Sequence, residues 1–137
     1  MGHEKQHILV VDDNTDVREL ILFVLDEGGY ITHAAKDGPS ALAVIDEVPL
    51  DLVLLDVMMP GMSGIEVLRD IRRARREVNR EVPTVMISAM AQTQDLEEAM
   101  SSGATSYIVK PFRPHVLLQQ VTDLLSQTEK KMELKGL

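Results

Sequence analysis

Cysteine and tryptophan are absent from this sequence, and aromatic residues make up only 3% of it. Without cysteine there is no disulfide framework, no thiol nucleophile and no cysteine-ligated metal, which suits a reducing compartment. The core must be filled by aliphatic side chains, and a hydrophobic fraction of 45% supplies them. Basic residues are in deficit: 14 Lys and Arg stand against 22 Asp and Glu, for a formal net charge of −8. That balance argues against direct binding of nucleic acid or an anionic membrane. No apolar run is long enough to span a bilayer. The opening residues Met1-Gly2-His3-Glu4-Lys5 hold no signal-peptide core, and Gln6 stands where an N-myristoylation pattern needs Ser or Thr. A cytoplasmic location is the expectation, and 137 residues suit one domain.

What the chain does have is a set of short, branched apolar runs, each ending in a polar residue of chemical interest. Ile8-Leu9-Val10-Val11 ends in Asp12-Asp13. Leu52-Val53-Leu54-Leu55 ends in Asp56, followed by Val57-Met58-Met59-Pro60-Gly61. A run through Val85-Met86-Ile87 ends in Ser88, and Ser106-Tyr107-Ile108-Val109 ends in Lys110-Pro111. Runs without polar alternation predict strands buried on both faces. A weaker strand is expected over Tyr30 to Ala35.

Helical segments alternate with these runs. The first begins near Thr15, with Val17, Leu20, Ile21, Val24 and Leu25 on one face and Gly28-Gly29 as its left-handed stop. The second opens at Asp37-Gly38-Pro39. The third starts at Ser63-Gly64-Ile65-Glu66, which has capping-box spacing, and turns Ile65, Leu68 and Ile71 inward. The fourth, through Leu96, Ala99 and Met100, has a short apolar face and stops at Gly103. The fifth begins at Pro114, with Leu117, Leu118, Val121, Leu124 and Leu125 inside. Alternating strands and helices predict a parallel sheet covered by helices. In such sheets the chemistry sits at the carboxyl ends of the strands, where Asp12, Asp13, Asp56, Ser88 and Lys110 fall.

Each of these residues alone has a plain reading. Asp12-Asp13 suits a helix cap, Asp56 a turn, Ser88 a local backbone bond and Lys110 a solvated surface. Their joint placement on four strand ends favours a site. Two carboxylates about 4 Å apart at an effective dielectric of about 20 repel by about 4 kcal/mol before screening, and a divalent cation relieves this. All-oxygen ligands favour Mg²⁺, with Mn²⁺ as an alternative, over zinc.

These motifs, with the loop Met59-Pro60-Gly61-Met62-Ser63-Gly64 and Gly103-Ala104 before the last strand, resemble the receiver domain of two-component response regulators. The resemblance spans residues 6–126, leaving 127–137 as a polar tail or the start of a linker. It implies a flavodoxin-like, doubly wound, five-stranded parallel sheet of order 2-1-3-4-5 with five helices. It implies a phosphorylation-activated switch and not a turnover enzyme. Asp56 would accept a phosphoryl group from a phosphohistidine of a histidine kinase or phosphotransfer domain. Asp13, Asp56 and the Met58 backbone carbonyl would hold Mg²⁺, with Asp12 on a metal-bound water. Lys110 and Ser88 would contact the phosphoryl oxygens, and the Lys110-Pro111 bond would be cis. Ser88 and Tyr107 would act as switch residues. They would reshape the face of the fourth helix, fifth strand and fifth helix toward an effector, as a monomer or a phosphorylation-dependent dimer.

Two positions depart from the usual pattern. Met58 and Met90 stand where many receivers carry polar side chains near the attacking water, so slow loss of the phosphoryl group is expected. The rival reading is a Mg²⁺-dependent phosphohydrolase with an aspartyl nucleophile. Its familiar pattern wants Asp two residues after the nucleophile, where Met58 stands. Arg69, Arg72, Arg73, Arg75, Arg76 and Arg80 read as a solvated basic face. Met86 and Met100 read as core filler, and His3, His7, His33 and His115 show no ligand spacing. Leu118, Leu125 and Met132 recur every seven residues, but a frayed terminus is the expectation for the tail.

Overall fold

The apolar runs become the inner strands because neither of their faces can tolerate water. In the computed structural model, which describes residues 5–89 and 93–135, Ile8 to Val11 and Leu52 to Leu55 are wholly buried. The elements run β1 (His7–Val11), α1 (Thr15–Glu27), β2 (Ile31–Ala35), α2 (Gly38–Glu47), β3 (Leu52–Asp56), α3 (Gly64–Ile71), α4 (Glu77–Arg80), β4 (Thr84–Ser88), α5 (Thr93–Ser101), β5 (Ser106–Val109) and α6 (Pro114–Lys135). All strand pairings are parallel, in the order β2-β1-β3-β4-β5. Alternation along the strands divides the core in two. Leu9, Val11, Val53, Leu55 and Met86 pack under α2 and α3 with Ile45, Leu68 and Ile71. Ile8, Val10, Leu54 and Ile87 pack under α1 and α6 with Ile21, Leu25 and Val121.

Turn chemistry ends the helices where expected. Gly29 has φ 90° after α1 and Gly103 has φ 107° after α5, a region costly for a side-chain-bearing residue. The reciprocal capping box lies at α2, between Asp37 and Ser40. At α3 the Ser63 hydroxyl accepts from the Glu66 N–H.

Several expectations are corrected. Leu20 is 43% exposed and Met100 45%, so neither fills the core. The helix of α6 continues to Lys135 where fraying was expected, because its inner face stays packed through Leu125 and Glu129 accepts from the Gln6 amide.

Six helices form where five were expected, and the sixth, α4, exists around a buried amide. Asn79 is fully buried; its Nδ2 donates to the carbonyls of Ile45 (2.7 Å) and Val48 (2.8 Å), and its Oδ1 accepts from the Leu50 N–H (2.9 Å). The arginine run is likewise structural in part. Arg72 donates to Gly103 and Val82 carbonyls, Arg76 to Glu47, and Arg80 to Ala74. Arg72, Arg76 and Arg80 thus satisfy chain ends, while Arg69, Arg73 and Arg75 stay exposed as a solvated face. Asn79→Ala will strand two carbonyls and one N–H, each costing about 1–3 kcal/mol when buried. We expect a loss on the order of 3 kcal/mol in urea denaturation; a loss within experimental error would show that water replaces the amide.

Candidate metal centre

The strand order places β1 between β2 and β3, so the chain leaves the ends of β1 and β3 in opposite directions and opens a crevice there. Asp12 follows β1 directly and is fully buried; Asp56 ends β3 and is 3% exposed. Asp13 lies beside them on the exposed side, and carboxylate oxygens of all three fall within 4.8 Å of one another. Among the described residues this is the only cluster of three or more carboxylate or imidazole ligands.

Local bonds set each carboxylate. Asp12 Oδ1 accepts from the Asn14 N–H at 2.9 Å, and Asn14 in turn caps α1 through Val17. The Asp12 carbonyl accepts from Arg18 Nη1 at 2.8 Å. Asp56 Oδ1 accepts from the Met58 N–H at 3.3 Å. Lys110 reaches in from the end of β5, held by its own N–H to the Ser88 carbonyl (2.6 Å) and by a cis bond to Pro111. Its ammonium lies 3.2 Å from Asp12 Oδ2 and 3.6 Å from Asp56 Oδ2.

One ammonium thus serves two buried carboxylates, with a third nearby. Among the described residues no hydrogen-bond donor reaches the buried Asp12 Oδ2, which lies in an ion pair with Lys110. Burial, then repulsion from Asp12, pushes the Asp56 carboxyl up to about 7; Lys110 and the Met58 N–H act the other way. A set of hard oxygen donors with surplus negative charge fits a divalent cation of the Mg²⁺ type.

A pH prediction follows with a definite sign. The folded protein without a cation keeps on Asp56 a proton that the unfolded chain releases near 3.8. Native binding of the extra proton stabilises the fold at low pH, and that stabilisation is lost as pH rises through about 7. The thermal midpoint in chelator should therefore fall between about pH 5 and pH 8, and Mg²⁺ should raise it far more at pH 8 than at pH 5. An equal Mg²⁺ effect at both values would contradict this.

The other expected residues land as follows. Ser88 ends β4, is 4% exposed, and shares a register step with Val109 of β5. Tyr107 is exposed on β5, lining a groove with Val109, Phe112 and Val116. Met58 is 68% exposed at the mouth of the acidic crevice, in a hollow shared with Asp13, Met59 and Pro60. Met90 lies outside the described residues. A further apolar groove beside Lys110 is lined by Val17, Leu20, Ala89, Pro111 and Phe112.

Sequence reasoning missed Gly64 as a site residue. A Cβ there would stand 2.1 Å from the Asp56 carbonyl oxygen. Its Ser-Gly context signalled a helix start, but not that the helix abuts the acidic strand. It also missed that His7 Nδ1 and His33 Nε2 lie 3.0 Å apart, because the two are 26 residues apart in the chain.

Comparison with known proteins agrees with this geometry. A family model described as the response regulator receiver domain matches residues 8–122. The DNA-binding response regulator MtrA of Mycobacterium tuberculosis (strain ATCC 25618 / H37Rv) is 41% identical over 129 residues, covering 94% of this chain and 54% of its own length. The phosphate regulon transcriptional regulatory protein PhoB of Escherichia coli (strain K12) is 34% identical over 137 residues, with 96% and 59% covered. The chain therefore spans somewhat more than half the length of these curated relatives. Among solved structures, a CheY-like receiver domain protein from Methanospirillum hungatei JF-1 superposes with TM-score 0.86 at 28% identity, covering 93% of this chain and 99% of its own. Vibrio cholerae CheY4 superposes with TM-score 0.83 at 30% identity, with 88% and 98% covered.

Proposed function

This chain belongs to the response regulator receiver family, whose members are phosphorylation-activated switches of two-component systems, and we propose that Asp56 is its phosphoacceptor. The observation that carries this reading is the Lys110 ammonium set between Asp12 and Asp56 at the strand ends. Asp56 is one of the two buried carboxylates at the crevice, and its Oδ2 lies 3.6 Å from that ammonium.

In this reading the donor is a phosphohistidine of a histidine kinase or phosphotransfer domain. A carboxylate oxygen of Asp56 attacks phosphorus, the P–N bond breaks as the P–O bond forms, and the imidazole leaves with its electron pair and takes up a proton. Lys110 compensates charge on the equatorial oxygens, and the Ser88 hydroxyl donates to one of them; positioning and neutralisation dominate such transfers. Asp13, Asp56 and the Met58 carbonyl, with Asp12 acting through a water, would hold Mg²⁺, which would supply further charge neutralisation there.

The acyl phosphate adds about −1.5 to −2 charge units to the crevice. Ser88 and Tyr107 respond, and the α5-β5-α6 face changes its population of states toward an effector. Tyr107 is exposed on that face. Residues 6–126 act as the switch and 127–137 as a connecting tail. The setting is cytoplasmic; among the described residues no helix is long and apolar enough to cross a membrane. With its net charge of −8, the unit itself does not contact nucleic acid.

The test is incubation with acetyl phosphate and Mg²⁺, followed by intact mass. A single phosphoryl adduct supports the switch; repeated turnover of phosphate monoesters would support a phosphohydrolase instead. The lifetime of the adduct is a separate matter. The Met58 thioether is neither acid nor base, and its exposed side chain lines the hollow beside Asp13. Met58→Asn should shorten the acyl-phosphate lifetime on the order of tenfold, below the ~10²-fold of a fully positioned general base. Unchanged decay would remove Met58 from the account.

A further inference from the structure

The sheet carries a second convergence of ligating groups, away from the acidic crevice. His7 opens β1 and His33 lies on β2, in register with Leu9, so the two side chains share one face of the sheet. His7 Nδ1 and His33 Nε2 are 3.0 Å apart. The ring centroids are 5.2 Å apart at an interplanar angle of 14°. That separation is close to the nitrogen gap plus two ring radii, so the rings lie side by side and nearly coplanar, not face to face. Both side chains are half-buried. The backbone N–H of His7 is anchored on Asp51 Oδ2 at 2.7 Å, which fixes the start of β1.

We propose that His7 and His33 form a two-imidazole chelating site for a borderline divalent transition ion of the Ni²⁺ or Cu²⁺ class. The argument is one of bite. Metal–imidazole bonds of about 2.0–2.1 Å spanning a 3.0 Å gap subtend about 95° at the metal. That is the angle of cis ligands in a square-planar or tetragonal set, the geometry of Cu²⁺ and Ni²⁺ with nitrogen and oxygen donors. Zn²⁺ stands below Cu²⁺ in the affinity order for such donors, so it should bind less well than Cu²⁺. Hard Mg²⁺ prefers oxygen and is not a competitor.

Without metal, one N–H lies between the two facing nitrogens. Binding moves that proton to the far nitrogen of the same ring, so both facing lone pairs become free, and with both rings neutral no proton is released. Each facing lone pair now points along the line to the other nitrogen, so each ring turns by roughly 45° to aim at the shared ion. The remaining coordination positions go to water. His7 lies five residues before Asp12, about 16 Å along a strand, so the site is separate from the Mg²⁺-type centre. Because the two ligands sit on β1 and β2, the ion clamps the edge strand to the sheet.

The test is calorimetric titration of the whole chain with NiCl₂, comparing wild type with His7→Gln, His33→Gln, His3→Gln and His115→Gln. Glutamine keeps a hydrogen-bonding side chain of similar reach, and acetyl phosphate labelling with Mg²⁺ reports whether each variant is folded. One equivalent of Ni²⁺ should be lost in His7→Gln and in His33→Gln and retained in the other two. Cu²⁺ electron paramagnetic resonance of the wild type should show two imidazole nitrogens. Equal Ni²⁺ binding by all five proteins would overturn the proposal, as would loss in His3→Gln or His115→Gln alone.

Discussion

Asp56→Asn, incubated with acetyl phosphate and Mg²⁺, will show no phosphoryl adduct by intact mass, while the wild type gains one. The amide has nearly the shape of the carboxylate, so the fold and the crevice are retained; what is lost is the nucleophilic oxygen and its charge. The same substitution should stabilise the cation-free protein at pH 8. Burial and Asp12 hold the Asp56 carboxyl near 7, which means its ionised form is uncomfortable there. After allowance for Lys110 and solvent, removing it should gain on the order of 2 kcal/mol. The two effects have opposite signs, chemistry lost and stability gained, and a general structural role for Asp56 would produce neither pairing. An adduct persisting in Asp56→Asn would place the acceptor elsewhere and end the proposed function.

Gly64→Ala should damage both stability and chemistry. The reason is space, since Gly64 has no positive φ. Its added Cβ would stand 2.1 Å from the Asp56 carbonyl oxygen and 2.9 Å from Val57 Cα. Those are backbone atoms and cannot rotate away, so the start of α3 must back off from the end of β3. The Gly64 N–H to Val57 carbonyl bond, 2.9 Å, would stretch with it. We expect a loss of about 3 kcal/mol or more in urea denaturation, with slower adduct formation because Asp56 itself is displaced. Gly61→Ala is the comparison: Gly61 has φ 79° and nothing within 4 Å of a new Cβ. It should cost about 1 kcal/mol from backbone strain and leave labelling intact. If both variants behave alike, close approach at Gly64 is not what positions the acceptor.

Much of the site was legible because its residues sit at ends of strongly apolar runs. Asp12, Asp13, Asp56 and Lys110 were each readable as cap, turn or surface residue, and only their repeated position after a strand set them apart. The structure brings all four together. What misled was the helical pattern. Leu20 has the right period for the core, yet a helix packed on a flat sheet buries only a narrow stripe, and Leu20 lies beside it in a groove. Within the arginine run, charge alone gives no hint that Arg72, Arg76 and Arg80 donate to carbonyls at the ends of neighbouring elements. Asn79 offered no signal, being one polar residue in a polar stretch.

By itself the sequence determined which segments are buried strands, which residues terminate them, and that three carboxylates and one ammonium stand at strand ends. Those are local properties, written in composition and period. Tertiary structure alone decided that Gly64 presses on the acceptor strand, that arginines and a buried asparagine close the ends of distant elements, and that His7 meets His33. Such contacts depend on strand order and on the close approach of residues remote in the chain, and no local pattern encodes them.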